Sequence, residues 1–297
     1  MKGGLCLEVL LIYNPVSGSA NFTNNLSTII GRFQHHGHQI IPYRTGDKTG
    51  MDKMISSIDT NRIKKIIVAG GDGTVNMVAT SMLSHNIDLP LAIFPVGTAN
   101  DYAGHFNISN DIDAMINTAL GDNYILSDVG MMNDKYFINV ASLGFLVDVS
   151  QKTETRLKNS LGTLAYYIKG LEELPNFRPI NVKISDKNGI IEENIFFMLI
   201  MNGKSAGGFK KLAPYASISD GLLEIMLFKE CPIYEMITLL IKVSNGEHIN
   251  SPYVTYFQSE ELVIECNSDV GIEKGADFPL HIRLLPQRLK IITDIHK

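Results

Sequence analysis

Three short loops in the first hundred residues combine glycine with side chains suited to phosphate or metal. Asn14-Pro15-Val16-Ser17-Gly18 sets a turn-fixing proline beside Ser17 as a donor, and Gly18 allows close backbone approach. Gly70-Gly71-Asp72-Gly73-Thr74-Val75-Asn76 carries three glycines in four residues just before an amphipathic run. Its uncovered amides and the positive end of the following helix can receive phosphate oxygens. An acid in such a loop is unfavourable beside phosphate alone, so Asp72 points to bound Mg²⁺ or to a hydroxyl awaiting deprotonation. Pro95-Val96-Gly97-Thr98-Ala99-Asn100-Asp101 offers Thr98 and Asn100 to phosphate or ribose, and Asp101 to a metal, a water or a neighbouring loop. Each loop has a plainer alternative: a turn with an N-cap for the first, and capping of the next helix by Asp72 or Asp101 for the others.

Other local patterns fail on inspection. Gly203-Lys204-Ser205 looks like the end of a P-loop, but Met198 stands where its first glycine is required. Asn76 likewise replaces the last glycine of a dinucleotide fingerprint. His35-His36-Gly37-His38 lies where a helix ends before a strand, and a solvated C-terminal cap explains it better than a metal site.

The elements that must position these loops alternate in type. Leu7 to Tyr13, Gln39 to Tyr43, Ile66 to Ala69 and Leu91 to Phe94 read as buried strands, with helical stretches at 19–36, 49–59 and 74–85. That alternation predicts βαβ units around a parallel sheet, whose ligands bind at the carboxyl ends of the strands. Beyond about residue 125 the rhythm becomes antiparallel. Strand-like runs at Tyr124–Val129, Tyr136–Val140, Ile180–Ile184, Ile191–Met201, Leu222–Phe228, Tyr253–Phe257, Glu261–Cys266 and Leu280–Leu285 follow one another, interrupted by helical segments at 155–173 and 232–244. The expected domains are 1–125 and 126–285, with a last strand within 286–297 that can return to the first.

The 297 residues suffice for two domains, and 45% hydrophobic with 19% charged side chains exclude a disordered chain. A net charge of −5 argues against a general nucleic-acid binder. Three scattered cysteines, Cys6, Cys231 and Cys266, lack ligand spacing and suit a reducing compartment, so the expected location is cytoplasmic. Glu8 interrupts the apolar amino terminus, which reads as a first strand rather than a signal peptide, and the longest strictly apolar run, Ile195 to Met201, is too short for a membrane helix.

In this order, NPxSG, GGDGT and GTxND, each after a parallel strand, resemble the catalytic domain of the diacylglycerol kinase family, in particular the soluble bacterial lipid kinases related to sphingosine and ceramide kinases. Phe137-Ile138-Asn139-Val140 with Gly144-Phe145 is similar to the segment opening that family's second domain. Ala213-Pro214 through Ser219-Asp220-Gly221-Leu222 is similar to its PxAsxxDG segment, and Glu273-Lys274-Gly275 to the end of its DGE segment. The resemblance implies an amino-terminal three-layer α/β domain with a parallel sheet, like that of NAD kinase, and a carboxy-terminal antiparallel β-sandwich that binds the lipid. It implies Mg²⁺-dependent transfer of the γ-phosphoryl group of ATP to a lipid hydroxyl, most simply that of diacylglycerol. Asn14, Pro15, Val16, Ser17, Gly18, Thr45, Gly71, Asp72, Gly73, Thr74, Val75, Asn76 and Thr98 would then surround ATP, with Asp72 beside the phosphates and Mg²⁺. Ser217, Asp220 and the carbonyl of Leu222 match a further Mg²⁺ site, and Glu273 the proton acceptor.

The chain departs from the family at three points. Gly271-Ile272-Glu273 replaces Asp-Gly-Glu, which leaves Asp269 as the nearest upstream acid to take the missing role. Tyr215 replaces a common acid, and Gly104 a frequent arginine. The Gly271-Ile272-Glu273 departure makes a catalytically weak lipid-binding or regulatory protein one alternative, and a kinase of NAD, which shares the GGDG loop and the α/β plus β architecture, is the other. A lipid substrate implies a peripheral encounter with the inner face of the membrane, for which the basic, apolar segment 152–169 is a candidate, although a core helix with a solvated face explains that segment somewhat better. Nucleic acid is not an expected partner, and a homodimer is left open.

Overall fold

The computed structural model describes residues 7–18, 22–46, 48–144, 179–266 and 277–294. They fall into two compact units, one running to Ser127 and resuming at Gln287, the other Asp128–Pro286.

In the first unit β1 (Leu7–Tyr13), β2 (His38–Arg44), β3 (Ile63–Gly70) and β4 (Leu91–Pro95) pair in parallel in the order β4-β3-β1-β2. The end of β13 (Leu280–Ile292) joins in parallel beside β4, Ile291 facing Leu91. β1, β3 and β4 are near-continuous runs of β-branched and apolar residues because both faces of the sheet are covered there, whereas the edge strand β2 buries only Ile40. On one face Val9, Leu11, Ile67, Ala69 and Phe94 pack against Ile29 and Phe33 of α1 (Leu26–His35) and Met115 and Ile116 of α5 (Ile112–Leu120). α2 (Lys48–Ser56) and α3 (Asp72–Ser84) pack on each other, and α3 also on β3 and β4. Alternate strand residues point to opposite faces, so three layers result.

The second unit is antiparallel. It contains β6 (Lys135–Phe137), β7 (Val140–Gly144), β8 (Ile180–Asp186), β9 (Gly189–Met201), β10 (Leu223–Lys229), β11 (Val254–Ser259) and β12 (Glu261–Cys266), with the remaining parts of β5 (Tyr124–Met132) and β13. The long strand β9 pairs with β8 through its first half and with β10 and β7 through its second. From Phe197 to Met201 its side chains, and those of β10 from Ile225 to Phe228, alternate between two cores. Met198, Ile200, Ile225 and Leu227 join Ile264 and Ile282 on one side. Phe197, Leu199, Met226 and Phe228 join Met236, Leu239 and Val243 of α6 (Ile233–Asn245) on the other.

The differences from the sequence reading have physical causes. The helix expected at 74–85 starts earlier, at Asp72, inside the glycine loop. In place of the start of the 19–36 helix, Phe22–Asn25 forms a 3₁₀ turn ahead of α1. α4 (Asp101–Gly104) and α5 fall outside the helical stretches read at 19–36, 49–59 and 74–85, because α4 is a single turn and α5 is short. The run Leu280–Leu285 and the last strand expected within 286–297 form one strand ending at Ile292, which carries Pro286-Gln287-Arg288 through with Gln287 at φ +53°. The run Tyr136–Val140 is instead divided between β6 and β7. Segments 152–169 and 155–173 lie outside the described residues.

Candidate active site

The first unit brings its three glycine loops together at the carboxyl ends of β1, β3 and β4. The Asn14 amide N–H donates to the Ala69 carbonyl at 2.9 Å, and its side-chain amide donates to Thr74 Oγ1 at 3.2 Å, tying the first loop to the second. Asn14 Oδ1 also accepts from the Val16 N–H, which fixes the turn through Pro15. Gly18 holds φ at +58°, and a Cβ there would lie 2.1 Å from the Val96 carbonyl oxygen, so only glycine lets the first loop approach the third. Thr45, buried after β2, donates its N–H to the Tyr13 carbonyl at 2.9 Å.

The second and third loops meet at Gly71 and Gly97. A Cβ on Gly97 would lie 2.3 Å from Gly71 Cα and 2.7 Å from Asn100 Oδ1. Asn100 is left-handed, at φ +51°, a conformation asparagine tolerates better than most residues. Its Oδ1 accepts from the Gly97 N–H, and its Nδ2 donates to the carbonyls of Pro95 and Gly97. Asn100 therefore latches the third loop, and the reading of it as a phosphate or ribose ligand competes with all three of those bonds.

Asp72 is the first residue of α3, whose cap, Gly71, makes no side-chain capping bond. Its Oδ1 instead accepts from the Tyr102 N–H at 2.9 Å, across to the start of α4. Tyr102 is buried, and its hydroxyl donates to Ser127 Oγ at 3.0 Å. The capping alternatives thus fail for both acids, since Asn100 rather than Asp101 precedes α4. Gly73 is open: a Cβ there would meet nothing within 4 Å. An amide-lined helix start beside empty space is what a phosphate chain requires, so the residues present fit ATP. Val16, Gly73 and Thr98 are exposed around it, while Val75 is buried and serves packing.

In the second unit Ser217, Asp220 and Leu222 share one turn. Asp220 Oδ1 accepts from the Leu222 N–H at 3.1 Å. Although the residue is open to solvent, shielding of its carboxyl raises the Asp220 pKa, and the neighbouring charge of Asp128 adds to this against the backbone donors of Leu222 and Ser217. Asp128 is fully buried; its Oδ2 accepts from the Gly221 N–H at 2.8 Å and its N–H donates to the Ile218 carbonyl at 2.7 Å. Asn202, also buried, donates to the carbonyls of Asp128 and Ile138. No group of three or more His, Cys, Asp or Glu side chains among the described residues is placed to hold a metal ion. Mg²⁺ asks for less, one or two carboxylates with waters or phosphate, and the mutual repulsion of Asp220 and Asp128 is what a cation would relieve.

Asp128 is the residue that motif reading passes over. It sits inside the run Tyr124–Val129, and the signal is a lone acid in a strand that otherwise reads as buried, since such an acid must find donors or a cation. Glu273 and Asp269 lie outside the described residues. The histidine cluster is a cap: His36 ends α1 and its Nδ1 lies 2.8 Å from the Arg32 carbonyl.

Residues 8–132 match the family described as diacylglycerol kinase catalytic domain, and residues 139–293 the YegS C-terminal NAD kinase beta sandwich-like domain. A diacylglycerol kinase of Bacillus subtilis is 32% identical over 272 residues, covering 90% of this chain and 89% of its own. The chain belongs to the diacylglycerol kinase catalytic-domain family. This is a family of lipid kinases, and its Staphylococcus carnosus member is 30% identical over 95% of the chain and 94% of its own length. A solved diacylglycerol kinase structure from Bacillus anthracis shares the fold, with a TM-score of 0.77 at 23% identity over 98% of both chains. The α/β part followed by a β-sandwich is thus the architecture of the family.

Proposed function

We propose that the protein transfers the γ-phosphoryl group of ATP to the hydroxyl of a membrane lipid, with diacylglycerol as acceptor and phosphatidate as product. The observation that carries this reading is the meeting of the three glycine loops around Gly71 and Gly97, with Asp72 held by the Tyr102 N–H. Residues 1–125 form the nucleotide domain and 126–285 the lipid-binding domain, the last strand returning to the first.

In this assignment Asn14 to Gly18, Thr45, Gly71 to Asn76 and Thr98 surround the nucleotide, the amides at the start of α3 taking phosphate oxygens. Asp72 orients the phosphate-side groups, its direction fixed by Tyr102. Ser217, Asp220 and the Leu222 carbonyl would hold a further, supporting Mg²⁺, with Asp128 adding negative charge, while a Mg²⁺ beside Asp72 would supply charge neutralisation to the transferring group. Glu273, or Asp269 in place of the Asp that Gly271 replaces, receives the proton of the acceptor hydroxyl as its oxygen bonds to the γ-phosphorus and the bridging bond to ADP breaks. The lipid acceptor places the enzyme at the inner face of the cytoplasmic membrane.

Incubation with labelled ATP, Mg²⁺ and mixed micelles containing diacylglycerol, other lipid alcohols or NAD tests this. Label in phosphatidate is expected. Label in NADP would instead identify a nucleotide kinase, and the absence of any labelled product a lipid-binding protein.

A further inference from the structure

Helix α6 is apolar on two sides. Met236, Leu239 and Val243 are buried against the sheet, and Leu240 packs on the same cluster. On the outside Tyr234, Ile237 and Ile241, spaced by three and four residues, are 64%, 40% and 51% exposed. They are three of the seven large hydrophobic side chains exposed among the described residues, so one helix face concentrates them. The other exposed residues of the helix, Thr238, Ser244 and Asn245, carry no charge. A helix that already buries one apolar face gains nothing from a second unless that face also leaves water.

The carboxyl end of this stripe is basic. Lys242 lies in the last turn, and Gly246 caps the helix in the left-handed conformation. A Cβ on Gly246 would lie 3.1 Å from Lys211 Cβ and 3.4 Å from its Cδ, so the Lys211 stem rests on the helix end beside the exposed Lys210. Among the described residues neither Lys211 nor Lys242 is in an ion pair. Both complement the helix dipole, but a cap needs neither an exposed second lysine nor an apolar stripe running away from it. The opposing charges are Glu247 at this end, and the exposed Glu230 with the half-buried Glu235 at the other.

We infer that the outer face of α6 docks on an anionic lipid bilayer, with Tyr234, Ile237 and Ile241 entering the boundary between headgroups and acyl chains and Lys211 and Lys242 at headgroup level. This rests on the reading of the protein as a kinase of membrane lipids. A second copy of the chain suits the face less well: the three side chains expose on the order of 300 Å², against about 800 Å² per partner in a stable interface.

The test is co-sedimentation of the full chain with vesicles of phosphatidylglycerol and phosphatidylcholine, comparing the wild type with the double variant Ile237→Glu, Ile241→Glu. Unchanged circular dichroism and thermal melting establish folding, and Ile237→Ser, Ile241→Ser replaces the pair if they do not. About tenfold or greater loss of vesicle binding is expected. Binding equal to wild type, a wild type that does not bind, or conversion of a dimer to a monomer with vesicle binding retained would each overturn the assignment. Phosphorylation of a water-soluble short-chain diacylglycerol reads the kinase function separately, and the double variant should retain it. No product alongside intact, stripe-dependent vesicle binding defeats the kinase reading alone, whereas product without vesicle binding defeats the docking surface alone.

Discussion

Asp72 carries two tasks that different substitutions separate. Its carboxylate accepts from the Tyr102 N–H, and its negative charge sits at the start of α3 beside open space. Asparagine retains an acceptor oxygen of the same reach but not the charge. Asp72→Asn should therefore keep the fold, with a urea midpoint close to wild type, while lowering turnover by roughly 10²-fold or more, the scale seen when one preorganised electrostatic group is removed. Turnover within a few-fold of wild type in a lipid kinase assay would remove the charge from the mechanism. The importance of Asp72 is legible from sequence, because an acid among three glycines has few other uses. The Tyr102 partner is not, since a backbone amide leaves no mark in the residue string. Asn100 shows the converse: its type invites a ligand role, and only the left-handed backbone reveals a latch.

At the scale of elements, the loops after β1, β3 and β4 hold one another rather than projecting separately. Gly97 joins two of them, since an added methyl would press on Gly71 Cα and Asn100 Oδ1 at once. Gly97→Ala should destabilise the protein by about 1–3 kcal/mol, the usual range for overpacking, and weaken nucleotide binding by pushing the second and third loops apart. Denaturant titration with ATP-analogue binding by calorimetry checks both, and an alanine variant with wild-type affinity would show that the loops do not act together. The glycines themselves are visible in the sequence; which pair touches is not, because Gly71 and Gly97 are brought together by the parallel pairing of β3 and β4. The same limit explains β13, where Pro286-Gln287-Arg288 breaks the apolar pattern although the strand continues. α4 and α5 escape notice because short helices carry little periodic signal.

For the molecule as a whole, acid stability should depend on a histidine no motif contains. His248 is fully buried, lies over Phe228 and pairs its Nε2 with the Leu212 carbonyl at 2.8 Å. Burial lowers its pKa below the ordinary 6.5, against the opposing pull of the Leu212 and Lys242 carbonyls. A depressed folded pKa means that the unfolded chain binds the proton first. Stability is thus complete above about pH 6.5 and declines as pH falls from there toward the folded pKa. Unfolding midpoints measured from pH 7.5 to 5 should fall, and less steeply in His248→Gln; parallel slopes in the two proteins would exclude His248 as the cause. The sequence by itself determined the three loops, the change from parallel to antiparallel rhythm and the family, because glycine, proline and strand periodicity act locally and survive in the order of residues. Tertiary structure alone decided that Asp128 is buried beside the Asp220 turn, that Asn100 is a latch and that the outer face of α6 stays apolar and uncovered. Those facts depend on which distant segments meet, and burial, partner and exposure are properties of the packed chain rather than of any stretch within it.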